Sequence, residues 1–176
     1  MSNKTKYIAY VALFTALVAV ATMVTSIPIP GTQGFINFGD AIILTAALTL
    51  GGVPAAICGG IGSAVADLVL GYAVWAPFTL VIKALEGLIA YLVYAVLFKR
   101  GVNPLNTSSK EKIQGALSLI AGALFMVVGY YFASVVVIGT FGGALASIPS
   151  NLLQGLAGAL VAYLLVFAAR VGRFLK

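Results

Sequence analysis

Between Lys112 and Arg170 the chain reads IQGALSLIAGALFMVVGYYFASVVVIGTFGGALASIPSNLLQGLAGALVAYLLVFAA, 57 consecutive residues (113–169) without one charged side chain. A helix crosses the hydrocarbon core with about 20 apolar residues, so this stretch holds two crossings, broken near Gly139–Pro149 where glycines and a proline interrupt it. The rest of the chain follows the same grammar. Of the 176 residues 62% are hydrophobic and only 8% charged, with a mean hydropathy of +1.13. About a quarter of a soluble domain's residues are charged, so this chain has too few to cover a water-facing surface. The fold class is therefore all-α integral membrane.

Six spans are predicted, at about 7–26, 40–50, 54–71, 76–98, 113–137 and 148–169. Ile27-Pro28-Ile29-Pro30-Gly31 ends the first, because prolines and glycine cannot continue a helix. The second stops at Gly51-Gly52 after about 11 residues, roughly 17 Å at 1.5 Å per residue, which is short for a crossing. Pro54 suits the first turn of the third. Met1–Lys6 leads directly into a full-length span with no A-x-A site, so the first helix is read as retained and not as a cleaved signal peptide.

Charge sets the expected orientation. Lys4 and Lys6 precede the first span, Lys99, Arg100, Lys110 and Lys112 follow the fourth, and Arg170, Arg173 and Lys176 follow the sixth. With six spans these places share one side, which the positive-inside rule makes cytoplasmic. Both termini are then expected in the cytoplasm, and a re-entrant hairpin over 40–71 would leave that unchanged. Topology and anionic lipid account for the +6 net charge, so no nucleic-acid partner is implied. With no His and one cysteine, Cys58, zinc sites, haem ligation, His-based triads and disulfides are excluded. No GxxxxGK[ST] run is present to cradle a nucleotide.

Apart from Glu111, the acidic complement is Asp40, Asp67 and Glu86; together with Lys83 these are the ionisable groups within or bordering spans. Such groups are costly at membrane depth and mark function by default. Asp40 begins the second span, Asp67 ends the third, and Lys83 and Glu86 lie about 10–16 Å along the fourth from Trp75. Asn151 and Gln154 open the sixth. All six fall in the outer half. This predicts a polar pocket open to the outside, with no polar path to the cytoplasm.

Each residue also has a purely structural reading. Asp40 can cap a helix, Lys83 and Glu86 can pair at i,i+3, and Asp67 can be the counter-ion of Lys83. Asn151, after Pro149-Ser150, reads as a cap or turn residue. Tyr72 and Trp75, with Tyr130 and Tyr131 at the same level, fit an interfacial belt as well as stacking on a flat ligand. The glycines of Gly59-Gly60-Ile61-Gly62 fit close helix packing. Ala12-Leu13-Phe14-Thr15-Ala16 is a small-xxx-small face for a helix of this chain or of another. An intramembrane hydrolase would be reduced to an Asp40–Asp67 dyad, around which no catalytic signature stands. A solo secondary transporter normally shows two related halves, which are not seen, so a substrate-capturing membrane subunit fits better.

Three motifs, Asn37-x-x-Asp40, Ala66-Asp67-Leu68 with Gly71-Tyr72, and Leu85-Glu86-Gly87, lie within Gly34–Gly87. There the chain resembles the S components of energy-coupling factor (ECF) transporters, closest in pattern to those for hydroxymethylpyrimidine and pyridoxine. The resemblance departs at Lys83, where a histidine is the pattern; a cation there favours an anionic or phenolate oxygen. It implies a six-helix protein of the prokaryotic plasma membrane that is not an enzyme and holds no cofactor. Such a protein binds a water-soluble vitamin under the loop after the first helix. It docks through Ala12 and Ala16 on a transmembrane coupling protein with two ATPase subunits, which hydrolyse the ATP, and topples to release its cargo. The substrate-binding residues expected on this reading are Asn37, Asp40, Asp67, Tyr72, Trp75, Lys83, Glu86, Asn151 and Gln154. Pyridoxine is the favoured cargo, with hydroxymethylpyrimidine next. Glu86 and Asp67 would accept hydroxyl hydrogens, and Lys83 would meet a phenolic oxygen. Riboflavin, thiamine, pantothenate or a solo transporter are the alternatives.

Overall fold

A computed structural model describes residues 3–29, 35–98 and 108–175. Pro30, Gly31, Gly34, Lys99, Arg100 and Lys176, used above for span ends, motifs and orientation, lie outside the described residues. The elements are α1 (Asn3–Val24), β1 (Ile27–Pro28), β2 (Phe35–Ile36), α2 (Gly39–Thr49), α3 (Gly52–Val69), α4 (Ala76–Phe98), α5 (Ser109–Ile138), a single turn α6 (Phe141–Ala144) and α7 (Ser147–Tyr163). The helix α7 runs on as a π-helical turn, Leu164–Ala168, and a 3-10 turn over Val171–Leu175 follows. Five helical segments are long and apolar enough to cross a membrane, and α2 is a shorter apolar helix. The protein is a six-helix transmembrane bundle.

The short second helix is possible because lipid is not its neighbour. It packs against α1, α3, α4 and α7, and nine of its eleven residues are buried. A helix that is apolar all round belongs inside a bundle, and its 11 residues need not match the hydrocarbon thickness. Gly51, at φ +105°, turns the chain from α2 into α3, a conformation that side chains disfavour. In contrast, large apolar side chains on α1, α3, α4 and α5, among them Leu13, Ile57, Val81 and Leu124, are exposed and meet the acyl chains.

Several ends differ from expectation. Helix α1 already includes Asn3, ahead of Tyr7, because Lys4 and Lys6 belong to it beyond the apolar run. Helix α5 starts at Ser109, where Ser108 and Glu111 form a capping box: the Ser108 N–H donates to Glu111 Oε2 at 2.6 Å and the Glu111 N–H donates to Ser108 Oγ at 3.3 Å. That box satisfies two otherwise free donors and gives Glu111 a local role. Before α7, Thr140 caps the extra turn α6 by accepting from the Gly143 N–H at 3.2 Å.

The N-terminal part of α1 lies beside the 3-10 turn over Val171–Leu175, with Tyr10 Oη donating to the Phe174 carbonyl at 3.4 Å. The larger apolar core, including Phe14, Leu44, Tyr94, Leu119 and Phe167, fills the bundle toward that end. Buried hydroxyls within this half, Thr45 and Ser118, donate to the carbonyls of Ala41 and Gly115 in their own helices. At the opposite end a smaller apolar cluster, Ile82, Met126, Val127 and Ala133, is joined by most of the buried polar and charged side chains, Asn37, Asp40, Asp67, Lys83, Glu86 and Gln154 among them.

Candidate functional site

Close helix approach builds the floor of that polar end. A Cβ added at Gly59 would come within 2.7 Å of the Lys83 carbonyl, one at Gly122 within 2.9 Å of the Glu86 carbonyl, and one at Gly158 within 2.7 Å of Asp40 Cβ. Each of the three ionisable residues at the centre thus faces a glycine on another helix. The backbones close around the charges and keep lipid away from them. Helix packing was the reading of Gly59-Gly60-Ile61-Gly62, and Gly60 likewise meets α4 while Gly62 meets α1 at Thr15 and Val18.

Asp40, Lys83 and Glu86 form one ion cluster. The Lys83 ammonium donates to Asp40 Oδ1 and, at 3.0 Å, to Glu86 Oε2. Asp40 and Glu86 are wholly buried and Lys83 is 2% exposed. Removing such charges from water is repaid only when partners and hydrogen bonds are complete. Gln154 completes Asp40: its Nε2 donates to Asp40 Oδ2 at 2.9 Å. Its Oε1 accepts from the Asn37 backbone N–H at 2.9 Å and from Asn37 Nδ2 at 3.4 Å. Asn37 Oδ1 in turn accepts from the Gly39 N–H at 2.8 Å. A continuous chain of bonds therefore runs from the loop before α2, through α7, to the charges on α2 and α4.

Above the cluster lies a cavity of about 80 Å³. Pockets for drug-sized ligands run roughly 300–1,000 Å³, so this one is sized for a single small ring. Seven of the nine expected residues line it: Asn37, Asp67, Tyr72, Trp75, Lys83, Asn151 and Gln154. Asp40 and Glu86 do not. They lie behind Lys83, because α2 and the inner face of α4 turn their carboxylates onto its ammonium and not toward the cavity. The capping role for Asp40 is also absent: the residue before α2 is Phe38, with no side-chain cap bond, and it is Asn37 that bonds the Gly39 N–H. Lys83 takes Asp40 and Glu86 as its ion partners, so Asp67 is not its counter-ion. Asn151 lies inside α7 and is not a turn residue.

Hydroxyls that the sequence reading passed over complete the wall. Ser63, Thr79, Ser134 and Ser150 line the cavity, and each stands four residues from another lining side chain: Asp67, Lys83, Tyr130 and Gln154. That spacing places both on one helix face, and it is the signal that would have found them. Tyr130 Oη donates to Thr79 Oγ1 at 3.0 Å. The Tyr130 ring lies 6.4 Å from that of Trp75 and 5.5 Å from Lys83 Nζ. Its neighbour Tyr131 does not line the cavity; it packs edge-on to Phe132 at 5.3 Å. At the mouth, Tyr72 packs 4.8 Å from Phe35. Two buried lining atoms have no hydrogen-bond partner, Thr22 Oγ1 and Asp67 Oδ2, and Glu86 Oε1 is likewise unpartnered behind the wall. Among the described residues no group of His, Cys, Asp or Glu is arranged to hold a metal.

Replacing Gln154 by leucine should lower stability by about 1–3 kcal/mol, since Asp40 Oδ2 and the Asn37 N–H would be left buried and unbonded. Unfolding in detergent followed by fluorescence reads this; an unchanged midpoint would mean that water replaces the glutamine.

A second, shallow groove runs along the membrane-facing side of α1 and α3, lined by Tyr7, Ala12, Thr15, Ala16, Ile57 and Gly62. Ala12 and Ala16 are exposed there, so they are not what joins α1 to the rest of the bundle.

Fold and site together define a multi-pass membrane protein with a closed-bottomed polar pocket. Residues 2–170 match the family described as ECF-type riboflavin transporter, S component. A Pyrococcus woesei protein, described as an uncharacterized protein in the gap 3′ region, is 39% identical over 144 residues, 82% of this chain and 88% of that protein. The thiamine precursor transporter HmpT of Lactococcus lactis subsp. cremoris (strain MG1363) is 30% identical over 167 residues, 94% of this chain and 89% of its own. A solved S component of a bacterial ECF transporter superposes with a TM-score of 0.69 over 99% of both chains, at 21% identity. The chain belongs to the S components of ECF transporters, non-enzymatic transport proteins that span the plasma membrane several times.

Proposed function

We propose that this S component captures a small single-ring heteroaromatic vitamin or vitamin precursor at the outer face of the membrane, hydroxymethylpyrimidine first and pyridoxine second. The observation that carries the reading is the cavity: room for one ring, with Trp75 and Tyr130 beside it, an unpartnered acceptor on Asp67 and the Lys83 ammonium on the wall. An ammonium has three hydrogens. Two are committed to Asp40 and Glu86, and the third is left for a ring acceptor. The thiamine precursor carried by a 30%-identical relative favours the pyrimidine. The small volume speaks against a three-ring flavin. Charge bias puts the termini in the cytoplasm and the pocket outside. Cargo is then handed on by docking of the Ala12–Ala16 groove on a coupling protein that works with two ATPases.

Trp75 is the chain's one tryptophan and lines the cavity, so its fluorescence reports occupancy. Titration of the purified protein should show binding of hydroxymethylpyrimidine or pyridoxine well below about 1 mM. Failure of these, of thiamine and of riboflavin to bind below that level would overturn the vitamin reading.

A further inference from the structure

Charge around the cavity does not balance. Three carboxylates, Asp40, Asp67 and Glu86, are gathered with one ammonium, Lys83, and none is more than 4% exposed. Asp40 and Glu86 already hold Lys83 between them, so its ammonium is no counter-ion for Asp67. The elements packed around the cavity bring no further cation among the described residues: α5 contributes the phenol of Tyr130, the loop before α4 that of Tyr72, α1 the hydroxyl of Thr22, and α7 the amides of Asn151 and Gln154. Asp67 Oδ2 lies on this wall, buried and without a hydrogen-bond partner. A buried anionic acceptor with nothing to accept from is a costly state, and a ligand that brings both a hydrogen and a positive charge relieves it.

From this geometry we infer that the pocket binds its ligand as a ring-protonated cation, with a ring N–H or amino hydrogen on Asp67 Oδ2, and rejects anionic forms of the same ring, phosphate esters above all. The inference rests on the vitamin reading and narrows it. It also revises the role expected of Lys83. The ammonium does not attract an anion, because two carboxylates already neutralise it; it donates one remaining hydrogen to a neutral acceptor. The ring of Trp75 on the same wall suits a cation as well.

The test is fluorescence titration with hydroxymethylpyrimidine and pyridoxine over roughly pH 5–9, with a ring N-methylated salt and a phosphate ester of the same ring for comparison. Kd for the protonable ligand should rise about tenfold per pH unit above the ring's own pKa. The N-methylated ring should bind through cation–π contact with no such slope, and the phosphate ester at least about 100-fold more weakly. Asp67→Asn should abolish the slope. Should that variant not fold, the comparison of ligands on the unaltered protein carries the test. Affinity that is flat across the range, a phosphate ester as tight as the free alcohol, or a slope that survives Asp67→Asn would each overturn the inference. If neither heteroaromatic binds at any pH, the vitamin reading itself fails.

Discussion

Replacing Lys83 by methionine is expected to destabilise the protein by about 3–5 kcal/mol and to abolish ligand binding. Methionine keeps much of the lysine's length but leaves Asp40 and Glu86 buried with no counter-ion, and removing one partner of a buried pair costs about that much. Relaxation is restricted, because glycines at 59, 122 and 158 bring neighbouring backbones against all three residues. Arginine should not rescue the site, since its planar fork needs more width than an ammonium. Neutralising the cluster together, with Lys83→Met, Asp40→Asn and Glu86→Gln in one chain, should recover most of the stability and none of the binding. Thermal unfolding in detergent reads the first quantity and Trp75 fluorescence the second. A Lys83→Met protein as stable as the parent would show that the ion cluster does not hold the bundle together.

The second large effect concerns transport and not binding. Replacing both Ala12 and Ala16 by leucine should eliminate vitamin uptake by cells while leaving Kd within about twofold, as exposed substitutions usually do. Both alanines lie in the open groove of α1 and α3, on the side of α1 away from the cavity. Two isobutyl side chains in place of methyls fill the place where the coupling protein is proposed to sit and touch nothing in the pocket. Uptake unaffected by the pair would refute docking through this face. Uptake into proteoliposomes by the chain alone would go further and make it a solo carrier.

Much of the architecture was legible because the chain has so few charges. The depth of Asp40, Asp67, Lys83 and Glu86 follows from counting along apolar spans, and so does their gathering at one end of the bundle. What did not follow is which carboxylate faces the cavity. That depends on how α2 is rotated, and α2 is buried over nine of its eleven residues, so no periodicity of polar and apolar residues reveals which side faces the cavity. Tyr130 and Tyr131 posed the same problem: adjacent residues point about 100° apart on a helix, and only packing decides which one reaches the cavity. The early start of α5 was missed for a different reason. Hydropathy sees the apolar run, whereas the helix begins at the Ser108–Glu111 box outside it.

The hydroxyls placed one turn from the main polar groups divide the labour of the site. The glycine-enclosed ion cluster ties several helices together and tolerates little change. Ser63, Ser134 and Ser150 sit on the cavity wall and take no part in that cluster. Exchanging such residues for alanine, threonine or asparagine alters shape and hydrogen bonding by an atom or two without disturbing the scaffold. Kinship with the family therefore constrains the scaffold more tightly than it constrains the shape of the pocket.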